Sequence, residues 1–146
     1  MTRFLLDTNI ISDAVKPKPS EALAKWMQAQ DDDRLFISSI TIAEVRRGIL
    51  ERPSGRKRAI LEAWFASAEG PQALFSGRVL PFDESAALEW ARLMAEERAR
   101  GMPRGEIDTF IAAIALVNDC VVVSDNDKDF AGVRTLNLLR DAPAPS

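Results

Sequence analysis

Short apolar runs, each too brief for a helix, alternate with longer segments of helical period. That alternation restricts the fold more than any other feature of the chain. The runs are Arg3–Leu6, Leu35–Ser38, Arg78–Phe82 and Cys120–Ser124, with Thr135–Leu138 a weaker fifth. Between them, Ala22-Trp26, Ala43-Val45-Ile49-Leu50, Ile60-Leu61-Trp64-Phe65-Ala68, Ala87-Leu88-Ala91-Met94-Ala95 and Ile107-Ile111-Ile114 follow i, i+3, i+4 spacing. Pro17-Lys18-Pro19, Pro53-Ser54-Gly55, Gly70-Pro71 and Gly101-Met102-Pro103 punctuate the segments. Strands that are apolar throughout, joined by helices, predict a parallel sheet covered on both faces. Right-handed crossovers then bring the strands' C-terminal ends to one edge, where such folds bind ligands at the point of strand-order reversal. If the first and fourth strands are neighbours there, Asp7 meets Asp125 and Asn126.

The chain has 146 residues, enough for one domain with a substantial core. No repeat or long linker divides it, so a single domain over residues 1–140 with a loose tail at 141–146 is expected. Histidine is absent and Cys120 is the only cysteine, directly before Val121-Val122-Val123, where it reads as a small buried apolar residue. These absences exclude Ser-His and Cys-His nucleophile pairs, His-ligated zinc and any disulfide framework. Hydrolytic chemistry here has to run on carboxylates and a hard, oxygen-loving metal. The start of the chain lacks a signal-type apolar region and no stretch approaches membrane-spanning length, so a cytoplasmic location is expected.

Net charge is −3, yet the basic residues are clumped at Arg46-Arg47, from Arg52 through Arg56-Lys57-Arg58, and at Arg98, Arg100 and Arg104. They read either as solvated helix faces or as a local phosphate-binding rim.

Four acidic places border apolar segments: Asp7, Glu44, Asp108 and the cluster Asp125-Asn126-Asp127-Lys128-Asp129. Each has an ordinary structural reading. Asp7-Thr8-Asn9 suits a turn and helix N-cap. Thr41-Ile42-Ala43-Glu44 fits a capping box. Asp108 favours the first turns of a helix, and Asp125 to Asp129 suit a turn after a strand. Their combination asks for more. Two carboxylates about 5 Å apart repel by roughly 3 kcal/mol at an effective dielectric near 20. Gathering several without compensation costs a large share of a domain's net stability, about 5–15 kcal/mol. A bound divalent cation removes that repulsion and activates water for phosphodiester hydrolysis.

At these residues the chain resembles a known family. Leu5-Leu6-Asp7-Thr8-Asn9-Ile10-Ile11-Ser12, Ile37-Ser38-Ser39-Ile40-Thr41-Ile42-Ala43-Glu44-Val45-Arg46-Arg47-Gly48-Ile49, Asp108-Thr109-Phe110-Ile111-Ala112-Ala113-Ile114-Ala115 and Val123-Ser124-Asp125-Asn126-Asp127-Lys128-Asp129-Phe130 look, in order, like the four signature blocks of PIN-domain proteins. Similarity runs from Met1 to about Leu138, including Arg78-Val79-Leu80-Pro81-Phe82-Asp83, and is strongest to VapC toxins of the FitB-like branch. The resemblance implies a three-layer α/β/α fold with a central, mostly parallel five-stranded sheet. It also implies a Mg²⁺- or Mn²⁺-dependent endoribonuclease, inhibited by a small antitoxin of the VapB or FitA kind encoded beside it.

Carried over by position, Asp7 and Asp108 are the principal metal ligands. Glu44 binds metal directly or through water and helps orient the attacking water. Asn126 stands where some relatives have aspartate and is assigned as an oxygen near the metal, with Asp129 in support. Asp125 stands where the family often has a basic or neutral residue. Arg46, Arg47 and Arg104 are candidates to steer RNA. The family's antitoxin groove corresponds to Thr41–Ala68, where Ile60, Leu61, Trp64, Phe65 and Ala68 read equally as a core-facing stripe. Pairing of toxin copies through other helical surfaces is implied too. Two other classes stay open at this level. One is a catalytically silent RNA-binding or scaffold PIN domain. The other is a phosphoaspartyl receiver, which needs an acidic pair after its first strand that Asp7-Thr8-Asn9 lacks.

Overall fold

The computed structural model describes residues 1–101, 105–126, 130 and 132–138. In chain order these form β1 (Arg3–Leu6), α1 (Thr8–Asp13), α2 (Glu21–Ala29), a 3₁₀ turn (Asp32–Arg34), β2 (Leu35–Ser38) and α3 (Ser39–Leu50). Next come α4 (Arg56–Ala66), α5 (Pro71–Leu74), β3 (Val79–Leu80), α6 (Glu84–Arg100), α7 (Glu106–Val117), β4 (Cys120–Val123) and β5 (Thr135–Leu136). The strands lie in the order β3-β2-β1-β4-β5, and every described pairing is parallel. The expected α/β class with a five-stranded sheet is therefore the observed one. The order reverses between β1 and β4, which are neighbours, the arrangement under which their acidic ends meet.

Alternation along the strands divides the core between the two faces of the sheet. Leu5 pairs with Val122 and both enter a cluster with Ile111, Ala112, Ile114 and Phe130 under α6 and α7. Their neighbours Leu6 and Val123 face the opposite way, onto Ile10, Ile11, Leu23, Val45 and Ile49. Helix α7 is buried from Ile111 through Ala115, as its mostly apolar sequence requires of a helix covered on more than one side.

The third strand is shorter than the apolar run Arg78–Phe82 suggests. Pro81 has no N–H to give the ladder, which stops pairing on this edge strand after Leu80. The Arg78 side chain turns back to three carbonyls, bonding Asp32 and Leu35 at 2.6 and 2.7 Å and Leu74 at 2.7 Å. The expected tail at 141–146 lies outside the described residues.

The turn from α4 into α5 depends on Gly70. A Cβ there would stand 2.3 Å from the Phe65 carbonyl oxygen and 2.6 Å from that of Trp64. Backbone has to move to admit it. Gly70→Ala is expected to lower unfolding free energy by about 2–3 kcal/mol, the upper part of the overpacking range, read as a lower urea midpoint with unchanged slope.

Candidate metal centre

Strand register delivers the first acid. Asp7 follows the last residue of β1, and its N–H continues the ladder to the Val123 carbonyl at 2.9 Å. The chain then turns into α1, with Asp7 as N-cap: Oδ1 accepts from the Thr8 N–H at 2.8 Å. Across the strand boundary the fully buried Ser124 donates its hydroxyl to Asp7 Oδ2 at 2.8 Å. Both carboxylate oxygens are thereby oriented, and Asp7 is only 6% exposed. Ser124 also accepts from the Asn126 N–H at 3.0 Å, so one hydroxyl ties the end of β1 to the chain leaving β4.

Glu44 reaches the same place along α3. Ser38, the last residue of β2, caps that helix by accepting from the Thr41 N–H at 3.0 Å. The proposed capping box is therefore displaced: Thr41 lies inside the helix, and Glu44 is free of any capping role. The Glu44 carboxylate instead accepts the Thr8 hydroxyl. The Thr8 and Thr41 hydroxyl oxygens are 3.2 Å apart, and those of Ser38 and Thr41 3.3 Å. Each hydroxyl has one proton, so donation by Thr8 to Glu44 sets the chain's direction from Ser38 through Thr41 and Thr8. Burial pushes the Glu44 carboxyl above its usual range, against the opposing Thr8 hydrogen bond, and the Asp7 charge adds to the rise.

Asp108 lies in the first turn of α7, as the sequence indicates. Together Asp7, Glu44, Asp108 and Asn126 line one cavity of about 370 Å³ at the switch-point edge, with Thr8, Asn9, Ser12 and Lys16. The structure thus gathers four of the five predicted site residues. Asp129 falls outside the described residues, as does Arg104. Asp125 is exposed and accepts from the Asn9 side-chain amide, while Asn137 donates to its carbonyl at 3.1 Å.

The donor set fits a hard divalent cation. It offers three carboxylates and an amide oxygen, the ligand chemistry of Mg²⁺ and Mn²⁺, with no nitrogen or sulfur to favour softer metals. Asn9, which also lines the cavity, keeps its side-chain Oδ1 buried without a hydrogen-bond donor. Among the described residues no three acidic side chains converge tightly enough to hold an ion unaided. Magnesium commonly keeps several waters and takes one or two carboxylates plus substrate phosphate, so an open arrangement suits it.

The positioning groups Thr8, Ser38, Thr41 and Ser124 were within the motif blocks but not distinguished from their neighbours. Hydroxyls beside the acids were the available signal; which carboxylate each one serves depends on tertiary contacts. Arg46 and Arg47, considered for steering RNA, both carry ion pairs on the surface of α3. Arg47 pairs with Glu51 at 2.5 Å, while Arg46 lies 3.3 Å from Glu62 and over the Phe65 ring.

A second cavity of about 350 Å³ opens beside the acidic one and shares Ser12, Lys16 and Glu44 with it. Its walls are largely apolar: Val15 and Pro17 after α1, Val45 and Ile49 on α3, Leu61 and Trp64 on α4, with Gly48 and Arg52 along its length. Leu61, Trp64 and Phe65 pack partly against the core, whereas Ile60 is 57% exposed. The aromatic helix is therefore both core cover and groove wall.

The sequence model described as PIN domain matches residues 4–136, nearly the whole described chain. The chain belongs to the PIN-domain family. The protein named VapC ribonuclease Y4jK, from Sinorhizobium fredii, is 36% identical to this PIN domain over 136 residues, covering 92% of this chain and 96% of that protein. Toxin FitB of Neisseria gonorrhoeae is 32% identical over 140 residues, covering 94% and 99%. The crystal structure of FitAcB from the same organism superposes with a TM-score of 0.85 at 31% identity, over 94% of this chain and 99% of the other. The FitB-like resemblance read from the four motif blocks is borne out, as is the fold. Among the described residues, no helix of this PIN domain is long and apolar enough to cross a membrane.

Proposed function

We propose that this PIN domain is a divalent-metal-dependent endoribonuclease and the toxin of a toxin–antitoxin pair, working in the cytoplasm. The observation that carries the reading is the meeting of Asp7, Glu44, Asp108 and Asn126 in one cavity at the β1–β4 edge. Relatives named as a ribonuclease and a toxin support the class of reaction. Asp7 and Asp108 would hold Mg²⁺ or Mn²⁺, with Glu44 binding directly or through water and Asn126 contributing an amide oxygen; Asp129 is retained as support on the resemblance alone. When bound, such a cation supplies charge stabilisation at the phosphodiester and lowers the pKa of water.

The chain's own residues supply the rest. Thr8 and Ser124 fix the Glu44 and Asp7 carboxylates, so little reorganisation remains when substrate arrives. Glu44, held by the Thr8 hydroxyl, would help orient the attacking water. The apolar groove is the seat of the antitoxin, whose apolar helix would lie along Val45, Ile49, Leu61 and Trp64. We place the single domain over residues 1–140 and expect toxin copies to pair in the assembly.

Purified protein incubated with total RNA is expected to cleave it in Mn²⁺ or Mg²⁺, to stop on chelation and to resume on metal addition. Metal should also raise the melting temperature. Cleavage unaffected by chelation would overturn the metal assignment. Metal binding without cleavage of any RNA would favour the silent RNA-binding reading.

A further inference from the structure

We propose that Lys16 is the residue that holds an RNA phosphate at the mouth of the acidic cavity. The inference rests on the ribonuclease reading above and assigns a substrate contact within that site.

The sequence gives Lys16 little prominence, since it belongs to none of the basic clusters. Its position comes from the way α1 ends. Turn bonds continue beyond Asp13, with the N–H groups of Ala14, Val15 and Lys16 reaching the carbonyls of Ile11, Ser12 and Asp13 at 3.1–3.4 Å. Each of these bonds spans three residues, so the chain leaves α1 in a tight 3₁₀-like turn that keeps Lys16 close to the helix end. Thr8 and Ser12, one turn apart on α1, and Lys16 just beyond it all line the acidic cavity.

Lys16 also lines the apolar groove and a smaller hollow of about 140 Å³ beside Asp13 and Asp125. It thus stands where three depressions meet. Its ammonium group is loosely engaged, 3.8 Å from Asp13 with 55% of the side chain exposed.

Charge gives this position its significance. Among the described residues lining the acidic cavity, three are carboxylates and Lys16 is the one cation. A phosphodiester entering there meets a negative wall, which a metal offsets at depth but not at the mouth. Arg47 on α3 is near enough to lower the Glu44 carboxyl, but neither it nor Arg46 lines the cavity; they pair with Glu51 and Glu62. A lysine on a flexible stem, with three donors and a weak existing contact, can swing to a phosphate oxygen at small cost.

This role predicts effects of opposite sign on RNA and metal. Lys16→Gln removes a cation from an acidic cavity, so Mn²⁺ should bind severalfold more tightly in calorimetry. Binding of a fluorescein-labelled single-stranded oligoribonucleotide, followed by anisotropy in chelator, should weaken by about 3–10-fold, with a log–log salt slope shallower by about 0.7. In Mn²⁺, KM for RNA should rise more than kcat falls. Lys16→Arg should restore RNA affinity, and Lys16→Glu should depress it further. The melting temperature of Lys16→Gln should stay that of the unsubstituted protein.

Unchanged RNA affinity and salt slope in Lys16→Gln, with the unsubstituted protein binding and cleaving RNA, would overturn this inference alone. If the unsubstituted protein neither binds nor cleaves RNA, both readings fail. Weakened RNA binding with equally weakened Mn²⁺ binding or a lowered melting temperature would assign Lys16 a structural role and overturn the proposal.

Discussion

Asp7→Asn and Asp108→Asn are each expected to yield a folded protein whose metal-dependent RNA cleavage falls by at least about 100-fold. Residues that merely orient metal ligands typically change affinity or activity by about 10–100-fold, and loss of a principal ligand exceeds that. Folding should survive because the local geometry suits asparagine. At position 7, Asn caps a helix as well as Asp does. Its amide oxygen can accept the Thr8 N–H, and its amide nitrogen can donate to Ser124, whose hydroxyl reorients. The substitution also removes a charge that acts on Glu44, so the metal-free protein keeps or gains stability. At position 108, loss of a first-turn acid costs about 0.3–1 kcal/mol through the helix dipole. Thermal unfolding with and without Mn²⁺, beside initial rates of RNA cleavage, separates the two effects. Undiminished turnover by either folded variant would remove that residue from the metal centre.

Gly48→Leu is expected to weaken antitoxin binding by at least about 100-fold, or roughly 2.7 kcal/mol, while RNA cleavage continues in the antitoxin's presence. Gly48 lines the apolar groove in the last turn of α3, and nothing lies within 4 Å of where a Cβ would stand. A leucine side chain there occupies space available to a partner helix without displacing the protein's own atoms. Gly48→Ala provides the control. Glycine inside a helix is destabilising by about 0.5–1 kcal/mol relative to alanine, so the alanine variant should be more stable and bind the partner more nearly as before. Calorimetry against the antitoxin partner measures the first effect, and urea unfolding the second. Full inhibition of Gly48→Leu by that antitoxin would place the partner elsewhere.

Much of the fold and site was legible because it depended on local chemistry. Apolar runs marked β1, β2 and β4 closely, and Asp7 and Asp108 could be placed at a strand end and a helix start from their neighbours alone. The edges were less clear: β3 ends early because Pro81 cannot donate to the ladder. The capping pattern at Thr41 misled because Ser38, three residues earlier, satisfies the helix start and leaves Glu44 for Thr8. The arginine clusters drew attention in the sequence, yet among the described residues the cation lining the cavity is Lys16, which belongs to no cluster. Sequence records charge, whereas partnership depends on which other helix lies alongside.

A parallel α/β protein without histidine chemistry, with carboxylates at the ends of apolar segments, follows from the order of residues alone. Strand and helix periods follow from side-chain direction within a few residues, and an absent residue type is absent in any fold. Which acids meet, which hydroxyl holds each carboxylate and that Lys16 lines the same cavity came from the folded arrangement. Those relations join residues such as Asp7 and Ser124 that are far apart in sequence, and they exist because β1 and β4 pair in one register. Shifting that register by one residue would exchange the two core faces and separate the site.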